Sequence, residues 1–235
     1  MKVNVSLYNS ETSDLAIMVD LLRASTTITI ALNNFNRVIP VNTIESAFEL
    51  KEKYHAILAG EKKIIKIDGF DVSNSPYEIQ DYTDDTLILK STNGTKVLEN
   101  LGKNEKTKIL IGSAINAKAV AQTALNMADE EIDIIMAGRH GKFTIEDCLG
   151  AGIIINEMIK LAIEEDIDLE LTEFAQVAKI ISSDYLIAKD LINSSNSADI
   201  LRDLDYIEDI KICTLVNELD TVPIYRNNEI TKLEN

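Results

Sequence analysis

Apolar and polar residues alternate at the start of the chain. Val3, Val5 and Leu7 fall on one side of an extended segment and Asn4 and Ser6 on the other, which predicts a first strand over 3–7. Further along, alternation gives way to short apolar runs bounded by small polar residues. The runs 16–19, 38–41, 56–59, 86–90, 108–111 and 132–136 have the length and the Ile/Val/Leu content of buried strands. Segments of helical character separate them, ending near Asn33, Lys53, Leu101, Met127 and Glu165. Thr43, Thr95 and Ser113 are placed to cap such helices. Ser75-Pro76-Tyr77-Glu78 and Thr144-Ile145-Glu146-Asp147 match the capping box, the first with proline at the first helical position. Beyond residue 165 the pattern becomes helical over 171–191, then a Ser/Asn loop (193–197), a short helix near 198–204, and closing segments at 210–216 and 222–225. Pro223 marks the last of these as an edge strand, because proline cannot donate to a ladder. Alternating strands and helices up to 165 predict a layered α/β fold. With no internal repeat and no low-complexity linker, a single domain over 1–235 is expected, the helical part near 166–205 packing on it rather than folding alone.

Composition narrows the class. The chain has 235 residues, 46% of them hydrophobic and 26% charged, which is a globular balance with a sizeable core. Its formal net charge of −16, with no Lys/Arg cluster, argues against nucleic acid and against an anionic membrane surface as partners. An anionic substrate would need positive potential made locally, by an arginine, helix N-termini or a divalent cation. Cys148 and Cys213 show no CxxC spacing, so neither a disulfide framework nor a zinc site is indicated, and Cys148 reads as a buried, inert thiol. The start of the chain lacks a signal-peptide pattern, and the apolar run 153–163 is broken by Asn156, Glu157 and Lys160. A soluble cytoplasmic protein is the expectation.

Three places repeat one arrangement: an apolar strand, a small polar loop, then a helix. They are Asp20 to Thr27, Ser91-Thr92-Asn93-Gly94-Thr95, and Gly112-Ser113 with Asn116. Backbone N–H groups and hydroxyls can gather round an anion in such loops. Each loop also has a plain structural account, as a turn or a helix cap. The acidic residues Asp20, Glu61, Asp71, Glu146 and Asp147 fall at strand ends, in loops or at helix starts. Two or three of them, converging, could hold Mg2+ with several waters retained. Arg23, with donors from Ser25, Thr26 and the 91–95 loop, could hold a phosphoryl group, and phosphate-ester hydrolysis needs little beyond charge neutralisation, positioning and an activated water. A surface ion pair is the alternative for Asp20 and Arg23, and an exposed turn the alternative for Glu61. Capping accounts for Ser75, Pro76 and Glu78 but leaves Asp71, Ser73 and Asn74 as spare polar groups. There is no GxSxG, no P-loop and no GxGxxG after the first strand, and neither His55 nor His140 sits beside a nucleophile motif. Gly150 and Gly152, inside a predicted helix, each cost about 1 kcal/mol against alanine, a cost that close packing or close ligand approach would offset.

Taken in order, Val19-Asp20-Leu21-Leu22-Arg23-Ala24-Ser25-Thr26, Gly60-Glu61, Gly69-Phe70-Asp71 with Asn74-Ser75-Pro76, Thr92-Asn93-Gly94-Thr95, Gly112-Ser113 with Asn116, and Glu146-Asp147 with Gly150-Ala151-Gly152 resemble the 2-phosphosulfolactate phosphatase (ComB) family. The resemblance runs from about Asp14 to Val222. It implies a three-layer α/β/α fold with a mixed sheet, and Mg2+-dependent hydrolysis of 2-phospho-3-sulfolactate to 3-sulfolactate and phosphate, in coenzyme M biosynthesis. It also implies a homo-oligomer, expected here as a homodimer. Carried onto this sequence, it places Asp20, Glu61 and Asp147 near the metal and Asp20, Arg23 and Asp147 in catalysis. Ser25, Thr26, Thr92, Asn93, Gly94 and Thr95 would surround the phosphate, and Asn74, Ser75 and Asn116 would complete the pocket wall. Ser91 stands where the family pattern has threonine, and keeps the hydroxyl. Arg139 is a candidate for the sulfonate. Two other outcomes fit the same loops: a phosphatase of another phosphorylated hydroxy acid, and a non-catalytic binder of an anionic metabolite. The presence of all three carboxylates favours the enzyme.

Overall fold

A computed structural model describes residues 1–234. The predicted strands are present as β1 (Lys2–Leu7), β2 (Leu15–Val19), β3 (Phe35–Val41), β4 (Ile57–Lys62), β6 (Asp84–Lys90), β7 (Lys108–Ile111), β8 (Glu131–Met136) and β10 (Pro223–Arg226). Three short strands join them that the sequence pattern does not predict: β5 (Ile65–Lys66), β9 (Glu170–Leu171) and β11 (Glu229–Lys232). Helices α1 (Ala24–Ala31), α2 (Ile44–Tyr54), α3 (Gly94–Leu101), α4 (Ala117–Met127) and α5 (Ile145–Glu165) alternate with them. Four further helices follow: α6 (Glu173–Ile181), α7 (Tyr185–Asn193), α8 (Asn196–Asp203) and α9 (Ile207–Cys213).

Among the described residues the strands form one mixed sheet in the order β5-β4-β6-β3-β11-β10-β7-β2-β8-β1-β9. Two parallel sets, β4/β6/β3 and β7/β2/β8/β1/β9, are joined through the antiparallel hairpin β10–β11. Strand β2 is apolar from end to end and wholly buried, as a central parallel strand must be when both faces are covered. On one face, Val5, Ile17 and Ile134 pack with α4, α5, α6 and α7. On the other, Met18, Ile111 and Ile135 share a core with Ile28 of α1, Leu98 of α3, and Leu87 and Leu89 of the second strand set. That set carries α2 on its outer face through Ala47, Leu58 and Ile88. The architecture is three-layer α/β/α with a mixed sheet, as the resemblance implied. The shared core draws the two strand sets together, and with them the loops that leave β2, β4, β6 and β8.

Several local expectations change. Segment 171–191 is two helices broken at Ser182–Asp184, with β9 before them. Segment 210–216 falls mostly in α9. Strand β10 is interior rather than an edge. Pro223 stands first in it, and its ladder to β7 runs through Ile224 and Tyr225, so the missing N–H costs no pairing there. Its neighbour β11 follows the Asn227-Asn228 turn, both residues at positive φ, a two-residue hairpin signature overlooked in the sequence. Helix α3 begins at Gly94 with Asn93 before it, so Thr95 lies inside the helix and the oxygen of Ser91 accepts its N–H. Ser75 does accept the Glu78 N–H, but only a short 3-10 turn follows, and Glu78 bonds the N–H of Ser73. Gly152 has a packing reason: a Cβ there would stand 2.1 Å from the Ala178 carbonyl oxygen of α6. No helix among the described residues is long and apolar enough to cross a membrane.

Candidate active site

A cavity of about 170 Å3 opens where β2, β4, β6 and β8 end. Strand β2 delivers Asp20 and, three residues on, Arg23. Glu61 lies within β4, one residue before its end, rather than in the loop expected. The 91–93 loop arrives from β6. Gly138, Arg139 and His140 follow β8, and Glu146 and Asp147 form the first turn of α5. Asn74 and Lys63 add to the wall, and Ser197, Ile200 and Leu201 of α8 close it from the C-terminal part of the chain.

Four carboxyl groups face this space, and backbone amides hold three of them. Asp147 accepts N–H groups from Leu21 (2.8 Å) and Gly138 (2.7 Å), one on each oxygen, and so ties the end of β2 to the loop after β8. It does not act as the far half of a capping box, and Thr144 Oγ1 is left buried without a partner. Glu61 accepts from Thr92 N (2.7 Å) and Ile64 N (2.6 Å). Asp20 accepts from Gly94 N at 3.1 Å. A Cβ on Gly94 would stand 3.0 Å from that same carboxylate, so glycine permits the approach. Glu146 is buried and forms no side-chain hydrogen bond or ion pair among the described residues. Burial, and then the charge of Glu61, push the Asp20 carboxyl up to about 7. Burial, with the charges of Asp20 and Glu146, raises Asp147 well above the usual carboxylate range.

Arg23 supplies the opposite charge, held by partners that the sequence did not suggest. Its Nη1 donates to Asp209 of α9 at 2.7 Å and its Nη2 to the Ile64 carbonyl oxygen, while its guanidinium lies 4.5 Å from the centroid of the Tyr206 ring. It is not paired with Asp20, as the surface-pair alternative required. Asp209 lies 186 residues further along, in a stretch with several acids, where no local spacing signals the contact.

The remaining expected residues divide. Thr92, Asn93 and Asn74 line the cavity with Asp20, Arg23, Glu61 and Asp147. The Asn74 Oδ1 is buried without a partner. Ser25, Thr26, Ser75, Thr95 and Asn116 stand behind the wall, with their side chains spent on the fold. Ser25 Oγ bonds the Asp20 backbone, and Thr26 Oγ1 pairs with Ser113 Oγ at 2.7 Å. Ser75 Oγ donates to Asp209, Thr95 Oγ1 to Asn42 and the Ser91 carbonyl, and Asn116 Nδ2 to the Thr221 carbonyl at 2.9 Å. Gly94 contributes its N–H to Asp20. Asp71 is elsewhere, paired with Lys51 at 2.8 Å. Cys148 is buried, which pushes its thiol up to about 11 and agrees with an inert role. His140 and Arg139, in a turn where Gly138, His140 and Gly141 take positive φ, do reach the cavity, and His140 N donates to Asn93 Oδ1.

The donor set suits a hard cation in kind, being carboxylate oxygen with one acid, Glu146, unpartnered. Among the described residues, however, no three His, Cys, Asp or Glu side chains converge closely enough to form a metal cage. Mg2+ needs no such cage, since it binds through one or two carboxylates and completes its shell with water and substrate oxygen.

Several known proteins are similar to this chain over most of its length. The chain is 39% identical to a 2-phosphosulfolactate phosphatase of Methanothermobacter thermautotrophicus over 234 residues, covering 100% of this chain and 96% of the relative. It is 38% identical to a probable 2-phosphosulfolactate phosphatase of Clostridium botulinum, covering 99% and 100%. A third relative, from Clostridium acetobutylicum and described in the same words, is 37% identical over 92% of this chain and 91% of its own. The sequence profile of one family matches residues 3–228. The chain belongs to the 2-phosphosulpholactate phosphatase family.

Proposed function

We propose that this chain hydrolyses 2-phospho-3-sulfolactate to 3-sulfolactate and phosphate, with Mg2+, in the biosynthesis of coenzyme M. Family membership makes it a phosphoric monoester hydrolase. The observation that carries the reading further is one cavity in which an arginine with unspent donors faces four buried carboxyl groups. In a chain of net charge −16, an anion has few other places to go.

In this mechanism Arg23 binds the phosphoryl oxygens, and Thr92 and Asn93 orient them. Asp20, with its carboxyl near neutrality, takes a proton from the attacking water as that oxygen bonds to phosphorus, and returns it to the sulfolactate oxygen that leaves as the P–O ester bond breaks. Asn74 offers its unpartnered Oδ1 as an acceptor for that water. Asp147 keeps the loops after β2 and β8 in register. One or two of Asp20, Glu61 and Asp147 would hold Mg2+, which when bound neutralises phosphoryl charge. Arg139 and Lys63, on the cavity wall and in no ion pair among the described residues, receive the sulfonate and carboxylate. Ser25, Thr26, Ser75, Thr95 and Asn116 act from behind, by holding the loops.

The test is phosphate release from 2-phospho-3-sulfolactate with Mg2+ and with excess EDTA, beside phospholactate and an aryl phosphate. EDTA-sensitive turnover confined to the sulfonated ester is expected, and Arg139→Ala should narrow its preference over phospholactate by about tenfold or more. Turnover of phospholactate alone would assign another phosphorylated hydroxy acid, and no turnover of any ester would leave an anion-binding protein.

A homodimer is part of the same reading. Phe174, Val177 and Ile180 lie at three-residue spacing along α6, and Leu186 and Ile187 follow on α7, each between 52% and 71% exposed. Two copies this acidic must meet through charge-poor surface, and these helices offer it. Ile180→Lys should convert a dimer to a monomer in light scattering, and an unchanged mass would remove this face from the account.

A further inference from the structure

Arg23 and Asp209 are buried to 2% and 1% side-chain exposure, yet only Arg23 lines the cavity. Asp209 takes the guanidinium from behind. Its Oδ2 accepts Nη1 of Arg23 at 2.7 Å, and its Oδ1 accepts the Ser75 hydroxyl at 2.5 Å and the Tyr77 N–H at 3.2 Å. Two of these three bonds fix its carboxylate between α9 and the loop before the 3-10 turn, and the third holds Arg23. Tyr206 lies against the guanidinium, and the Ile64 carbonyl accepts from Nη2. Two of the five guanidinium N–H groups are engaged in this way, and the others remain for a ligand in the cavity.

A buried ion pair is a poor device for stability alone, since apolar side chains of similar volume do as well or better. Here the positive member has acids on its other side. Asp20, Glu61 and Glu146 face the same cavity, and a guanidinium free to turn could pair with any of them and close the anion site. We infer that Asp209 is the positioning residue of the site: it holds the Arg23 guanidinium, against Tyr206, at the cavity wall where the phosphoryl group binds. The inference rests on the reading of Arg23 as the phosphate ligand. It gives the last helix, α9, a part in the chemistry.

The test is a double-mutant cycle of Arg23→Ala and Asp209→Asn, read in kcat and KM for 2-phospho-3-sulfolactate and in inhibition by inorganic phosphate, with thermal unfolding followed throughout. Asparagine keeps the size of Asp209 and an oxygen for Ser75 and Tyr77. Asp209→Asn should lower kcat/KM by about tenfold to a hundredfold, mostly through KM, and weaken phosphate inhibition by about tenfold. In the Arg23→Ala background it should change kcat/KM by less than about twofold. The same fold loss in both backgrounds, or kcat/KM within twofold of the parent in folded Asp209→Asn, would overturn the inference. If Asp209→Asn does not fold, Tyr206→Leu, which removes the ring face alone, should raise KM with kcat nearly kept, and an unchanged KM would overturn it. If the parent releases no phosphate from any ester, the functional reading fails separately. Calorimetric binding of inorganic phosphate then decides the inference, which requires weaker binding in Asp209→Asn.

Discussion

Strand β2 is flanked by two aspartates with opposite fates. Asp14, just before it, sits under three backbone N–H groups, from Asp129, Glu130 and Glu131 at 2.7–2.9 Å, with the Lys108 ammonium 3.7 Å away. Those bonds and that charge outweigh burial and hold its carboxyl below the usual range. Asp20, just after the strand, has Gly94 N–H at 3.1 Å but is buried among acids, and its carboxyl is pushed up to about 7. The same side chain at the two ends of one strand is thus a staple at one end and a store of repulsion at the other. Asp147 and Glu61 join loops through their amide donors, but the mutual repulsion of Asp20, Glu61, Glu146 and Asp147 works against the fold. The crowding makes sense for a ligand that brings positive charge, or a reaction that needs a carboxyl near neutrality.

The comparison is broken most severely at Asp147, which serves both ends of it. It belongs to the acid cluster, yet its two oxygens join Leu21 and Gly138. Asp147→Asn should lower kcat/KM by about a thousandfold and also lower the unfolding midpoint, because the asparagine NH2 must face one of the two amide donors. Full activity in a less stable protein would move Asp147 to the structural side. Next in size, Asp14→Asn should cost about 1–2 kcal/mol in denaturant unfolding at neutral pH, with kcat/KM unchanged. A loss of activity without loss of stability would contradict its role as a staple. The pH dependence has a definite sign. Folding lowers the Asp14 carboxyl, so its contribution is complete above the unfolded value, near 3.9, and disappears as pH falls through the folded value. Parent and Asp14→Asn should therefore converge in stability below about pH 4, while a constant gap would assign the effect to packing. The smallest expected effect is thermal: millimolar Mg2+ should raise the midpoint of the parent by a few degrees and that of Asp20→Asn by less, as mass action on a bound cation requires. Equal shifts would place the cation elsewhere.

The layered fold was legible because β2, β6 and β8 are short apolar runs between turn signals, and a central strand leaves little else to choose. The site was legible in its acids and its arginine, since Asp20, Glu61 and Asp147 stand at strand ends and a helix start. The hydroxyls were less so. Ser25, Thr26 and Thr95 look identical to phosphate donors in a sequence, and only their partners (the Asp20 backbone, Ser113 and Asn42) show them holding the loops. The strand β11 left a mark in Asn227-Asn228. Asp209 left none, because a pairing across 186 residues is set by how α9 packs and not by any local pattern.

The most direct measurement is Asp20→Asn, assayed for phosphate release from 2-phospho-3-sulfolactate with Mg2+ and for its unfolding midpoint in the same buffer. The account predicts kcat/KM down by about a thousandfold in a protein at least as stable as the parent, since one of four crowded charges is gone and Gly94 keeps an acceptor. Parental turnover, or a loss of activity matched by loss of the fold, would contradict the claim that this end of β2 is held strained for chemistry.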